Sequence, residues 1–179
     1  MYHRGMRKTL ILMLCLLFFA AAAIAEEAKK PLSPPAKAEA TIAGKKITID
    51  YSAPSKRERV IMGGLVPYDQ VWRTGANAAT TLTTESSLMI GSIHVPAGTY
   101  TLYTIPGEKD WTLIVNKQTG QWGTDYDQAQ DLGRTKMTVN AVKNPVETFV
   151  IGIKPVSEKN GLLTLTWENT EATVPVVVH

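Results

Sequence analysis

The chain has 179 residues and a formal net charge of +3, but three of its 19 Lys and Arg residues lie before residue 26, whereas all 16 Asp and Glu residues lie from Glu26 onward. Residues 26–179 are therefore formally neutral, which excludes the basic footprint expected of a nucleic-acid-binding protein. The one cysteine, Cys15, also lies before residue 26, so disulfides, thiolate metal sites and cysteine nucleophiles are excluded from the rest of the chain.

Residues 1–25 predict a secretory signal peptide. Three basic residues form a positive start, residues 10–24 carry no charge, and Ala25 ends a run of small residues. Signal peptidases read this order of basic, apolar and small residues, so we expect cleavage after Ala25 and a periplasmic or secreted location. A retained membrane anchor is the alternative, because the apolar stretch is only slightly shorter than a membrane-spanning helix.

Residues 26–37 predict an extended tether, because they are rich in Ala, Lys and Pro and their three prolines interrupt regular backbone hydrogen bonding. Residues 38–179 then predict a single domain that is large enough to be held by its own core. Apolar and polar residues begin to alternate with period two at residues 40–42 and 46–51. These two runs predict a hairpin that turns around Gly44.

Strand-like runs continue to the C-terminus and are separated by residues with turn chemistry, including Asn144-Pro145. Further strands are predicted at residues 79–84, 87–90, 99–105, 111–116, 137–141, 149–153, 163–167 and 174–178. A series of about nine or ten short strands, many with one apolar and one Thr-rich face, predicts an all-β fold, either an antiparallel β-sandwich or a flattened barrel. The best helical candidates are residues 126–132 and a single turn at residues 67–72.

Several collinear motifs carry a resemblance to a known family. They are DYS at residues 50–52, GGLVPY at 63–68, VWRTGAN at 71–77, PAGTY at 96–100, IPG at 105–107 and QWG at 121–123. Over residues 38–179 the chain resembles the bacterial family called domain of unknown function 2911. The resemblance implies an exported β-rich domain and brings no catalytic residues. The loop at residues 55–59 departs from the family pattern because it is more strongly charged.

Histidine and glycine patterns exclude several kinds of enzyme. His94 is the only histidine between residue 4 and the last residue, so one chain lacks the ligands of a multi-histidine zinc site. His94 as a catalytic base is the alternative to an exposed strand residue. No glycine-rich phosphate-binding motif occurs, so we expect no nucleotide cofactor and assign no cofactor at all. Asp125, Asp127 and Asp131 resemble an incomplete calcium loop or a solvated acidic loop, and we assign no metal.

The most suggestive cluster of candidate ligand-binding residues lies in residues 71–81. Arg73 carries a planar fork of donors that suits a carboxylate or phosphate, and Thr74 and Asn77 add small polar groups around Gly75. The structural alternative is a corner between strands, with Trp72 in the core and Arg73 paired with a carboxylate such as Asp50.

Aromatic residues add two further candidates for ligand binding. Trp122 lies in a loop between Gln and Gly, and its sequence context is equally compatible with an exposed and a buried ring. Tyr51 belongs to a strand, and the sequence does not determine which face of that strand packs against the core. Trp111 and Trp167 fall on strand patterns and are predicted to be core residues. An exposed Trp122 would suit a sugar.

The leading hypothesis is an exported, non-catalytic binding or accessory domain for an anionic or sugar-like small molecule. One alternative is a hydrolytic enzyme that uses Arg73 as an anchor and a carboxylate such as Asp50 as the base. The other is a structural envelope protein that acts through protein contacts. No catalytic residue is assigned. The expected partner is a small molecule or an envelope protein, with no nucleic acid and no membrane span after signal cleavage.

Overall fold

The structure, a computed structural model, describes residues 31–179. The predicted signal peptide and residues 26–30 of the predicted tether lie outside the described residues. Within residues 31–179, no helix is long and apolar enough to cross a membrane.

The described chain is built from nine β-strands and one turn of 3₁₀ helix. The strands are β1 Pro35–Ile42, β2 Lys45–Ser52, β3 Thr80–Thr84, β4 Leu88–Ile90, β5 Ile93–Val95, β6 Gly98–Pro106, β7 Trp111–Asn116, β8 Asp131–Pro155 and β9 Asn160–Val178. The 3₁₀ helix, Gln128–Gln130, lies between β7 and β8. The all-β prediction and its count of strands are confirmed.

All nine strands join one antiparallel sheet that is not closed, in the order β1-β2-β3-β6-β7-β8-β9-β4-β5. Two pairs of neighbouring strands in this order, β3 with β6 and β9 with β4, are not consecutive in sequence. Side chains from every strand nevertheless contribute to one hydrophobic cluster, which includes Ile42, Leu102, Val115, Phe149 and Val176. The sheet therefore folds around a single core.

The β1–β2 hairpin turns at Ala43 and Gly44, as the alternation predicts. Ile42 pairs with Lys45, so the loop has two residues, and Ala43 and Gly44 have φ values of 51° and 71°. Positive φ at both central positions is the requirement of a type I′ turn, whose twist matches that of paired strands. The pairing extends back to Pro35 opposite Ser52, so the last residues of the predicted tether belong to β1.

Other strand boundaries differ from the sequence-based expectations. β8 runs without a break through Asn144-Pro145, which was expected to separate two strands, because two register shifts against β9 absorb the turn residues. Within residues 126–132 only the 3₁₀ turn Gln128–Gln130 is helical and residues 131–132 begin β8, and residues 67–72 form no helix. The short strand β5 lies at one edge of the sheet and was not predicted.

The connection from β2 to β3, residues 53–79, crosses the sheet and carries the VWRTGAN motif. Backbone hydrogen bonds attach it to three places on the sheet: Phe149 N donates to Pro54 O at 2.8 Å, Trp72 N donates to Thr104 O at 2.7 Å, and Ala76 N donates to Ser52 O at 3.2 Å. Because these bonds replace a regular strand ladder, an irregular segment is held firmly over the core.

Candidate functional site

A cleft of about 700 Å³ opens between this crossing segment and the loop that follows β7. Residues 32 and 33 form part of one wall, and Gly123 and Thr124 belong to the opposite loop. Trp72 and Trp167 also line the cleft. Its volume lies within the range of roughly 300–1,000 Å³ that small-molecule sites in proteins occupy.

Three arginines line this cleft: Arg57, Arg59 and Arg73. None of the residues lining it is an Asp or a Glu. Among residues 31–179, the salt bridges join other pairs, so no carboxylate lies within ion-pair distance of any of these three guanidinium groups. The cleft thus collects three guanidinium groups that form no salt bridge within the described residues.

Arg57 and Arg59 are positioned by backbone carbonyls. Arg57 Nη2 donates to Leu32 O at 3.2 Å, and Arg59 donates through Nε to Lys56 O at 3.1 Å and through Nη2 to Ser55 O at 2.6 Å. Carbonyl oxygens orient a guanidinium group without neutralising its charge. Both side chains are exposed, so their remaining donors are available to a ligand.

The loop that carries these two arginines is attached to an irregular stretch of β8. Between Val146 and Val150 the β8–β9 ladder shifts register, which leaves backbone groups of β8 free of that ladder. Glu147 O accepts from Lys56 N at 2.7 Å, and the Glu147 carboxylate accepts from Arg57 N at 2.6 Å. The irregularity in β8 therefore fixes the position of the arginine loop.

Arg73 is half-buried and packs against the loop after β7. A Cβ atom on Gly123 would lie 2.6 Å from Arg73 Cδ and 2.7 Å from Asn77 O, so a larger residue there would displace Arg73 or shift the backbone of Asn77. The Arg73 Nε atom is buried and has no hydrogen-bond partner in the described residues. Asp50, the carboxylate considered for pairing with Arg73, instead pairs with Lys37 at 3.3 Å and does not line the cleft.

Residues 74–77 form the corner that presents Arg73. Thr74 and Asn77 have φ values of 53° and 60°, and Gly75 has 152°. A β-branched residue at positive φ is strained, and here three contacts hold it: Thr74 O accepts from Thr80 Oγ1 at 2.7 Å, while Thr74 Oγ1 lies 3.1 Å from Thr104 Oγ1 and donates to Trp72 O at 3.3 Å. The corner is thus fixed from inside the protein.

Two tyrosines line the side of the cleft formed by the loop after β7. Tyr103 and Tyr126 meet edge to face with ring centroids 4.9 Å apart. Burial raises the pKa of Tyr103, and burial with a hydrogen bond to Asp131 raises the pKa of Tyr126 to about 12. Both phenols are therefore protonated at neutral pH and act as neutral polar groups.

The structure brings Arg73 and Asn77 to the cleft and places the other three predicted ligand-binding residues elsewhere. Thr74 is buried beneath the corner. Tyr51 is half-buried, its OH accepting from Ile151 N at 3.1 Å and its ring packing on Phe149. Trp122 is 54% exposed but does not line the cleft. Trp111 and Trp167 are buried, as predicted.

Arg57 and Arg59 were not among the predicted ligand-binding residues. Their sequence signal was the three cations of the loop at residues 55–59, which Glu58 interrupts, and this pattern is equally typical of a solvated turn. Only the hydrogen bonds of that loop to β8 bring it beside Arg73. His94 is exposed on β5 and does not line the cleft, and Asp131 accepts bonds from Asn116, Tyr126 and Arg134.

Comparison with known proteins finds one family. Its sequence profile, described as "Protein of unknown function (DUF2911)", matches residues 33–176. The match covers the whole sheet except the last two residues of β9, and it includes the cleft residues from Ser33 onward. No curated protein and no solved structure matches the chain.

Proposed function

Because the chain belongs to this family of unknown function, we propose its function from the cleft alone: the protein is a binding domain that holds a small anionic ligand through Arg73, Arg57 and Arg59. The observation that carries this proposal is the gathering of three arginines, without a carboxylate partner, around one cleft. A guanidinium group gives two parallel hydrogen bonds to a carboxylate or phosphate, and Arg is the residue best suited to that contact.

The hydrolytic alternative lacks support at the cleft. A carboxylate base would have to reach a bound substrate, but Asp50 is engaged by Lys37 and the cleft lining contains no acidic residue. The two tyrosines of the cleft keep their protons at neutral pH, as an ordinary phenol does, and their raised pKa values make ionisation still less favourable. Binding rather than catalysis is therefore the function that these residues support.

We also propose that binding takes place outside the cytoplasm. The support is the N-terminal order of three basic residues, an uncharged apolar stretch and a small residue at Ala25. Mass spectrometry of the protein recovered from a bacterial expression host tests this. A periplasmic or secreted form that begins at Glu26 is expected, and recovery of only the full-length chain from the membrane fraction would contradict it.

Isothermal titration calorimetry with inorganic phosphate, methyl phosphate, acetate and citrate tests the binding proposal. We expect at least one of these anions to bind, with an affinity that falls as ionic strength rises. Arg73→Gln removes a charged hydrogen-bond donor, and such a bond contributes about 1.5–3 kcal/mol, so the affinity should fall about tenfold to a hundredfold.

Two further variants make this result specific. Arg57→Gln changes an exposed side chain, so it should fold normally and also weaken binding. Lys45→Gln makes the same change of charge at an exposed position of β2 outside the cleft and should leave the affinity unchanged. Equal affinities of the native protein and a folded Arg73→Gln variant, or no binding of any of the four anions, would refute the proposal.

A further inference from the structure

Exposed apolar side chains form part of the lining of the cleft. Seven large hydrophobic side chains are exposed among residues 31–179: Leu32, Val60, Leu65, Val71, Trp122, Val150 and Val156. Three of them, Leu32, Leu65 and Val71, line the cleft and are between 39% and 70% exposed. The other four do not line it.

This distribution calls for an explanation because single exposed apolar residues are normally scattered over a protein surface. A cluster of them beside a concave site marks a surface that is covered by a ligand or partner. Here the apolar residues share the cleft with three unpaired arginines. A purely charged ligand such as inorganic phosphate would engage the arginines and leave Leu65 and Val71 in water.

Resting on the proposed function, we infer that the natural ligand is an amphipathic anion, a small molecule whose phosphate or carboxylate meets Arg73 and whose apolar body covers Leu65 and Val71. The volume of the cleft supports a small molecule rather than a macromolecule, because about 700 Å³ accommodates a ligand of roughly drug size and far exceeds an inorganic anion. Trp72, which is half-buried, extends the apolar lining beyond the two aliphatic side chains.

A series of monoalkyl phosphates tests this inference. Methyl, butyl, hexyl and octyl phosphate carry the same charged group, so any gain along the series comes from the apolar body. Burial of one methylene group changes affinity by up to about fourfold. We therefore expect octyl phosphate to bind at least about a hundredfold more tightly than methyl phosphate, measured by calorimetry at concentrations below micelle formation.

Variants separate the apolar contacts from the charged contacts. Leu65→Gln and Val71→Thr change exposed side chains, and each should reduce the gain in affinity from methyl to octyl phosphate. Val156→Thr is the matched control, since Val156 is 68% exposed and does not line the cleft. Arg73→Gln should weaken all four phosphates by the same factor and preserve the gain per methylene.

The outcomes distinguish this inference from the proposed function. If all four phosphates bind equally, the apolar part of the ligand is refuted and the anion site stands. If none binds, both proposals fail. If neutral octyl glucoside binds as tightly as octyl phosphate, the anionic part is refuted. If the protein binds anionic phospholipid vesicles but none of the monomeric phosphates, the small-molecule ligand is refuted in favour of a membrane surface. If it forms dimers at micromolar concentration and binds no phosphate, the small-molecule ligand is refuted in favour of a second copy of the chain.

Discussion

Tyr126 shows how a single residue at the edge of the cleft is tied to the fold. Its OH donates to Asp131 Oδ2 at 2.8 Å and accepts from Arg134 Nη2 at 2.7 Å. Arg134 and Asp131 are themselves an ion pair at 2.9 Å. The raised pKa of Tyr126, about 12 against an ordinary value of 10.0, results first from burial and then from the bond to Asp131.

This raised pKa predicts a loss of stability at high pH. The folded protein keeps the Tyr126 proton to higher pH than the unfolded chain does, so the contribution is fully present below pH 10 and is lost as the pH rises from 10 to about 12. We expect Tyr126→Phe to lose less stability than the native protein over this interval. Urea denaturation midpoints measured at several pH values test this, and identical pH slopes for the two proteins would contradict it.

Thr74 illustrates how a buried residue can serve a site that it does not touch. Its positive φ turns the chain so that Arg73 lies in the cleft while its own hydroxyl bonds inward to Thr104. The strain of that conformation is offset by the buried hydrogen bonds around it. Residues 74–77 are thus a structural corner, and the same corner presents the candidate binding residues.

At the scale of elements, the β1–β2 hairpin offers a test of turn chemistry. Ala43 holds the left-handed conformation at a position where Asn is far more favourable in a type I′ turn followed by Gly. Relief of that conformation should raise the free energy of unfolding in Ala43→Asn by about 0.5–1.5 kcal/mol. Thermal denaturation should show a higher Tm, whereas an unchanged or lower Tm would mean that the turn is of another type.

The register shifts in β8 are the element-scale feature that matters most for the cleft. A regular ladder between β8 and β9 would engage the backbone of residues 147–149, and these groups instead bond to residues 54 and 56 of the crossing segment. Irregularities of this kind are common beside functional sites because they re-aim backbone and side chains. Here the irregularity holds the loop that carries Arg57 and Arg59.

At the scale of the whole molecule, an aromatic cluster joins the crossing segment to the sheet. Trp72 packs on Phe149 of β8, on Trp167 of β9 and on Trp111 of β7, with ring centroids 5.0, 5.9 and 6.3 Å apart. Because Trp72 and Trp167 also line the cleft, the core and the binding surface share these rings.

Truncation of this cluster should therefore lower the stability of the fold. Phe149→Ala removes a fully buried ring and should lower the free energy of unfolding by about 3–5 kcal/mol. Trp122→Ala removes an exposed ring and should change it by less than about 0.5 kcal/mol. Chemical denaturation of both variants is the measurement, and similar losses in the two would show that Phe149 is not part of a cooperative core.

Much of the fold could be read from local patterns. Period-two alternation identified the β1–β2 hairpin and most strands, since a strand with one face against the core and one face toward solvent alternates in this way. Strands β6 and β7 are exceptions, because consecutive residues of each are buried. The same alternation identified Trp111 and Trp167 as buried. It failed at Asn144-Pro145, where residues that normally end a strand were accommodated by register shifts, which depend on the partner strand rather than on local sequence.

The candidate site also has residues that local sequence identified and residues that only the tertiary structure identified. The sequence singled out Arg73, Thr74 and Asn77 because a guanidinium group beside small polar residues suits an anion, although the same pattern is also typical of a corner between strands. Tertiary structure alone added Arg57 and Arg59 and turned Thr74 and Tyr51 inward. The physical reason is that a loop has no periodicity to reveal which side faces solvent, so the direction of its side chains is decided by the backbone hydrogen bonds it makes to distant strands.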